Sequence, residues 1–358
     1  MNKTKVINHF KNLKYTSNFK VMKCFKLLFK VGLIKNIANY IIFSIIILYI
    51  ISIILLYCKE YKLLCKEIDE IITNKKNMKI NTKEYLNNRK PLNENLFKFS
   101  SNKKTSIDSF NSFIKINSDN NNKIRKERQE QKYYDDYEIN SINYEEAIKN
   151  DKRTYIQLYL SLIKVNHILI FTFCSKGDYN PRSIKICLFF FIFVLHMFIN
   201  TLFFNDATLH HIYQNKGLFN FIYFLPQILY SIIICSFINI IIKKLSLSQK
   251  NILEIKYEEN IDNLNSKIIN MIRCINKKFI FFYIFSFIFL LFFWYYLLCF
   301  CFVYNNTQIY LFKVISISYT LSFIYPFIIY LFHLIFRIAS LRNPGKCFYK
   351  ISIFLKVL

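Results

Sequence analysis

The chain is expected to fold as an all-α polytopic membrane protein, with five or six transmembrane helices and one polar, partly disordered insert. Three observations carry that expectation. Of 358 residues, 54% are hydrophobic, yet the formal net charge is +27. A soluble domain this basic would not also be this apolar, so the two properties must be segregated along the chain. Long apolar runs do alternate with Lys-rich stretches. Several of those runs reach the ~20 residues that cross a ~30 Å hydrocarbon layer. An open sheet edge in lipid would leave backbone groups unpaired, so each run must be a helix.

The elements follow in order. Residues 1–39 are a basic N-terminal segment with nine Lys and no acid. The segment is too polar, and too long before the apolar run, for an ordinary cleaved signal peptide, so 40–57 reads as a retained signal-anchor span. Residues 58–154 form a polar charged insert with 21 basic and 16 acidic residues. Part of it is expected to be disordered, with its ends, 59–73 and 144–155, extending the adjoining helices. The membrane bundle occupies 155–358. Its runs 218–242, 279–304 and 314–336 pass the length test outright, and 186–204 is interrupted only by His196 and Asn200.

Segment 155–174 is ambiguous. It is apolar but carries Lys164, Asn166 and His167 at its centre, and a central Lys costs roughly 2.5–3.5 kcal/mol on insertion scales. Gln157, Ser161 and Lys164 share one helical face, which also suits a helix lying in the interface. In the loop 243–278, residues Ile252, Ile255, Ile261, Leu264, Ile268 and Ile269 have the spacing of a short amphipathic helix.

Basic residues near span ends set the topology. The loop 243–278 holds eight Lys/Arg against four acids, and the tail holds Arg337, Arg342, Lys346, Lys350 and Lys356 with no acid; both are expected to be cytosolic. Loops 205–216 and 305–313 hold one Lys each and belong on the other side, where Asn305-Asn306-Thr307 is a glycosylation sequon at Asn305. With the N-terminal lysines also cytosolic, 155–174 crosses and there are six spans, the arrangement favoured. With 155–174 in the interface, five spans remain and the N-terminus faces outward.

Two absences exclude whole classes. The only glycines are Gly32, Gly177, Gly217 and Gly345, none near another. A phosphate-cradling loop or a nucleophile elbow needs closely spaced Gly, so nucleotide-driven pumps and ordinary serine hydrolases are excluded. Without GxxxG, the helices must pack through large side chains, among them the mid-span cluster Phe292-Phe293-Trp294-Tyr295-Tyr296. No span contains Asp or Glu, and residues 263–358 have no acid at all. Ion-coupled carriers place a carboxylate at mid-membrane, so a proton or cation carrier is disfavoured.

Histidine and amides remain. The candidate polar membrane site comprises His196, Asn200, Asp206, His210, His211 and His333. His196 and Asn200, at i and i+4, share a helix face, while Asp206, His210 and His211 lie just past that helix. Asp and His at this spacing can reach one divalent ion, but an interfacial turn whose polar residues cap helices is the favoured reading, and no metal site is assigned. Pro226 and Pro326 kink their spans. Gln227, Ser231 and Asn239 on one span, with Ser316, Ser318, Thr320 and Ser322 on another, read as interhelical hydrogen-bonding glue rather than as a pore lining. A lone intramembrane His is the one respect in which the chain resembles membrane-bound acyltransferases; the surrounding signature is missing.

The strings DKRTYIQLYLSLIK, DYNPRSIKICLF, FFNDATLHHIY, LSLSQKNILEIK and FWYYLLCFCFVYNNTQ resemble an uncharacterised protist family of multi-span membrane proteins over residues 145–358. The resemblance implies no catalytic residue. It does imply that Asp178-Tyr179-Asn180 and Asn205-Asp206 belong to a repeated architecture.

The functional expectation is a non-enzymatic membrane assembly component of the lipid bilayer, working with protein partners or as a homo-oligomer. Its basic cytosolic faces favour anionic lipids, and no recognition module accompanies them for nucleic acid. The alternatives are a channel or facilitator for a small solute or anion, and a membrane-embedded lipid-modifying enzyme using His196 or His333. No catalytic residue and no cofactor is assigned.

Overall fold

The computed structural model describes residues 17–29, 36–87, 136–175, 178–215, 218–258, 264–343 and 345–357. All regular structure among them is helical. Five helices are long and apolar enough to cross a membrane, over Ile37–Asn74, Arg182–Leu202, Phe221–Ser246, Ser266–Val303 and Asn305–Arg342.

The first of these begins as α1 (Ile37–Leu55), passes through one π turn (Leu56–Glu60) and continues as α2 (Tyr61–Asn87). Asn36 starts it: the side-chain oxygen accepts from the Ala38 N–H, and the Nδ2 donates to the Leu298 carbonyl. The other four are α7 (Arg182–Leu202), α9 (Phe221–Ser246), α11 (Leu264–Val303) and α12 (Gln308–Arg342). They alternate in direction. Asn18, Asn36, Leu202, Tyr304 and Gln308 meet at one end, the near end: the Asn18 N–H donates to the Leu202 carbonyl at 2.8 Å, and the Ile37 N–H to Gln308 Oε1 at 3.5 Å. Glu60, Ser183, Leu247 and Lys278 meet at the opposite, far end.

Helix α7 is the centre. In its most apolar stretch 78% of the residues are buried, against 22–50% in the other four helices. Large side chains do the packing, as the absence of small-residue motifs requires. Phe198 of α7 stacks on Phe293 with ring centroids 4.5 Å apart and meets Tyr296 edge-on at 5.0 Å. The aromatic run 292–296 is therefore the α7–α11 seam, and Trp294 turns the other way to donate to Asn39 of α1 at 3.1 Å. The Tyr49 and Ser286 hydroxyls hydrogen-bond across α1 and α11.

The sixth crossing favoured by the sequence is absent from the described residues. Segment 155–174 is broken at His167 (φ −71°, ψ 117°) into α5 (Tyr155–Asn166) and α6 (Ile168–Phe173). Twelve residues rise only ~18 Å. Helix α5 enters the bundle from the far end, antiparallel to α12: Leu158 and Leu162 pack on Leu334, Tyr159 donates to the Phe327 carbonyl, and His167 Nε2 bonds the Phe323 carbonyl at 3.0 Å. Helix α6 then leads to α7, where Thr172 donates to the Lys185 carbonyl. The segment is a hook, and its break is buried in protein, the one place at such depth where irregular backbone is tolerated.

Of the insert, 58–87 is helical, and α3 (Asp136–Ser141) and α4 (Tyr144–Asn150) return to the far end. Residues 88–135, on which the expectation of disorder falls, lie outside the described residues, as do Gly32, Gly177 and Gly217. Residues 144–155 do not extend α5. Asp151 ends α4, and Thr154 opens a new helix through a reciprocal capping box with Gln157. The amphipathic helix expected in 243–278 is shorter than its six apolar positions imply. Helix α10 (Gln249–Lys256) buries Ile252 and Ile255, whereas Leu264, Ile268 and Ile269 already belong to α11, and Ile261 lies outside the described residues. Helix α13 (Lys346–Val357) folds back antiparallel on the far end of α12, with Phe348 against Phe336.

Candidate functional site

The six polar residues singled out in the sequence occupy three places. His196 and Asn200 come together inside the bundle. Asn200 Nδ2 lies 2.7 Å from Ser231 Oγ, 3.2 Å from Ser318 Oγ and 2.8 Å from the His196 carbonyl, three acceptors for two hydrogens. Gln227 Nε2 donates to the Asn200 carbonyl at 2.9 Å. The polar positions of α7, α9 and α12 thus converge on one amide. His196 is 4% exposed and meets Tyr319 edge-on, its Nδ1 without a hydrogen-bond partner. Asn200 and both serines are fully buried. The cluster ties three helices together through Asn200 Nδ2, while Asn200 Oδ1, like His196 Nδ1, is buried without a hydrogen-bond partner.

Asp206, His210 and His211 lie at the near end, on α8 (Asp206–Gln214), which Asn205 caps by accepting from the Thr208 N–H. They do not converge. Asp206 accepts from the Tyr304 hydroxyl at 2.7 Å, His210 bonds Gln214, and His211 bonds Asn215 while stacking on Tyr223 at 3.7 Å. Among the described residues no group of three His, Cys, Asp or Glu is placed to hold a metal ion. Asn305 is exposed nearby, its Oδ1 accepting from Gln308 Nε2.

His333 lies at the far end, away from the other five, and leads to a cluster that the sequence reading did not single out. Its Nδ1 bonds the Ser352 carbonyl of α13 at 2.5 Å, and its Nε2 has no hydrogen-bond partner. One turn on, Arg337 is fully buried. Its Nη2 donates to Asp151 Oδ2 at 2.8 Å and to the Ile139 carbonyl at 2.9 Å, and its Nε reaches the same carboxylate oxygen at 3.2 Å. Arg153 clamps Asp151 from the other side, Nε to Oδ1 at 2.8 Å and Nη2 to Oδ2 at 2.9 Å. It also reaches Ser161 and Asn140. Lys356 donates to the Asn140 carbonyl at 2.8 Å.

The electrostatics follow from this arrangement. Burial by itself would raise the Asp151 carboxyl. The Arg153 hydrogen bonds and charge, then those of Arg337, outweigh burial and hold it below the usual carboxylate range. Burial lowers the Lys356 ammonium to about 8, with the charges of Arg337 and Arg153 adding to the effect. Arg337 Nη1 is buried with no acceptor.

Further charged pairs fasten the returning chain to the same end. Glu138 accepts from Lys256 at 2.6 Å and from the Tyr257 hydroxyl at 2.5 Å. The Asp178-Tyr179-Asn180 turn acquires a physical role: Asp178 pairs with Lys185, Tyr179 sits at φ 52°, and Asn180 Oδ1 accepts from the Ser248 and Gln249 N–H groups, capping α10. A left-handed backbone is uncommon for an aromatic residue and marks a fixed turn. Glu60, read from sequence as one more acid of the insert, accepts from the Ser183 N–H at 2.8 Å, an anion at the N-terminus of α7. The signal for the far-end cluster was slight, a D-x-R triplet at Asp151 and a basic residue late in an apolar run at Arg337.

No protein-family model, curated protein or solved structure matches the chain.

Proposed function

We propose that the protein is a membrane assembly component that holds its polar segment 88–135 at the far end of a five-helix bundle and presents it to a protein partner. One observation carries the reading: the segment is entered through a helix continuous with the bundle and left through residues fastened to it. On one side α2 continues α1 without a gap in the helix. On the other, residues 136–153 are fastened by Asp151 to Arg337, Glu138 to Lys256, the Asn140 carbonyl to Lys356 and the Ile142 carbonyl to Tyr349. So firm a frame around 48 residues carrying eleven Lys/Arg and six acids suits display better than a simple linker.

The far end also gathers the loop 243–278 and the tail, so it faces the cytosol under the positive-inside rule. Five crossings then put the basic N-terminal segment on the other side. The full burial of Asn200, Ser231 and Ser318, bonded across three helices, supports packing over conduction, and His333 is buried and bonded to Ser352, a poor position for meeting an acyl donor.

The test is replacement of 88–135 by a short Gly/Ser linker, followed by purification from native membranes and native mass spectrometry. A bundle that still inserts but loses a stoichiometric partner supports the reading; a partner retained in full would sink it.

A further inference from the structure

The far end carries a charge imbalance. Arg153 and Arg337 share one carboxylate, Asp151, and Lys356 donates nearby to the Asn140 carbonyl, so three cations of the cluster have one carboxylate among them. Three other acids of the returning segment have cations of their own, Glu138 with Lys256, Asp136 with Lys164 and Glu145 with Lys346, and the fourth, Glu146, is exposed on α4. Helices α11, α12 and α13 can supply no acid, because residues 263–358 contain none. Asp151 Oδ2 already takes three donors, and Arg337 Nη1, though fully buried, has no hydrogen-bond acceptor, the guanidinium carbon lying 5.5 Å from the centre of the Tyr349 ring. A buried guanidinium normally has each N–H matched.

The depth of the cluster suggests what supplies the missing acceptor. Arg337 lies 29 residues beyond Gln308 in one helix, about 43 Å at 1.5 Å per residue. That matches the ~40–45 Å between headgroup layers of a bilayer. Arg153 keeps 15% of its side chain exposed, and Lys356 is partly exposed, so the rim of the cluster is open where its centre is not. Arg and Lys together suit a phosphate, which takes charge-assisted hydrogen bonds from both.

We propose that Arg153, Arg337 and Lys356 form a binding site for the phosphate of one anionic phospholipid headgroup. The site rests on the membrane reading above and is independent of what segment 88–135 binds. It differs from diffuse attraction to the basic face in requiring Lys356 and not its exposed neighbour Lys350.

The experiment places the full chain in nanodiscs of phosphatidylcholine with a minority of phosphatidylglycerol and counts the lipids retained on gentle release by native mass spectrometry. The wild type is expected to keep one phosphatidylglycerol per chain. Lys356→Gln keeps a donor for the Asn140 carbonyl but removes the charge, and lowers retention about fivefold, the worth of one cation at ~1 kcal/mol. Lys350→Gln leaves retention unchanged. Equal loss in both variants, or equal retention of phosphatidylcholine, overturns the site. Protection of lipid-free protein by inorganic phosphate, without phosphatidylglycerol retention, transfers the site to free phosphate and removes the lipid assignment. A chain that never enters the nanodisc fails the membrane reading instead.

Discussion

Arg337 and Asp151 stand 186 positions apart in the chain and meet at 2.8 Å with side chains 1% and 0% exposed. A buried ion pair of this kind adds little net stability over a well-packed apolar pair, yet removing one partner strands the other. Asp151 is shared by two guanidinium groups, so the two single variants are not equivalent. Asp151→Asn leaves Arg153 and Arg337 both uncompensated and is expected to cost about 3–5 kcal/mol, with Arg337→Met costing less. Thermal unfolding in detergent checks the order, and a reversed order would mean that Asp151 is not the hub.

The same carboxylate sets a pH dependence. Its folded pKa is depressed, so its stabilisation is fully present above the unfolded value of ~3.9 and is lost as pH falls through the lower, folded one. Melting temperature is expected to drop with acid below about pH 4, and Asp151→Asn is expected to flatten that limb. Asp136, depressed chiefly by Lys164 against the opposing effect of burial, acts in the same direction, weakly because both side chains are partly exposed.

Within the bundle, Asn200→Ala removes the amide shared by Ser231 and Ser318. Hydrogen bonds between membrane helices average ~0.6 kcal/mol and reach ~1.7. Asn200→Ala is therefore expected to lower stability by about 1–2 kcal/mol, less than Asp151→Asn does. Partner capture should be unchanged. Loss of capture without loss of stability would give the cluster a functional role that packing alone does not explain.

Among the described residues, five helices long and apolar enough to span, an odd number, lie between Lys20 and Cys347. A single cysteine placed at Lys20 and the native Cys347, both at exposed positions, are expected to react with impermeant maleimide from opposite faces of sealed vesicles. Labelling from the same face would restore the sixth crossing.

The long apolar runs were legible because hydropathy and length suffice to specify a helix in lipid; of the polar residues read as glue on α9 and α12, Gln227, Ser231 and Ser318 bond between helices, whereas Ser322 bonds within its own helix and Asn239 Oδ1 has no hydrogen-bond partner. The hook was not. Its hydropathy matches a span, and the break at His167 depends on the Phe323 carbonyl and the Phe327 ring, 4.6 Å from the imidazole. That is tertiary information. The sequence also grouped His333 with the other histidines by residue type, whereas the fold separates it from them and joins it to Arg337. Nothing local in the triplet around Asp151 points to a cation 186 residues later.

Asn18 is held by the Leu202 and Phe204 carbonyls and by the Tyr296 hydroxyl, and α1 takes its start from the Leu298 carbonyl. During synthesis the first helix therefore emerges long before α11, the surface that will fix its beginning. For some 260 residues of elongation, the separation of Asn36 from Leu298, the near end of α1 waits unlatched, and closure of the near end is a late event rather than the seed of the fold. A ribosome stalled before Tyr296 would leave that helix free to be sampled by whatever surveys unassembled membrane segments.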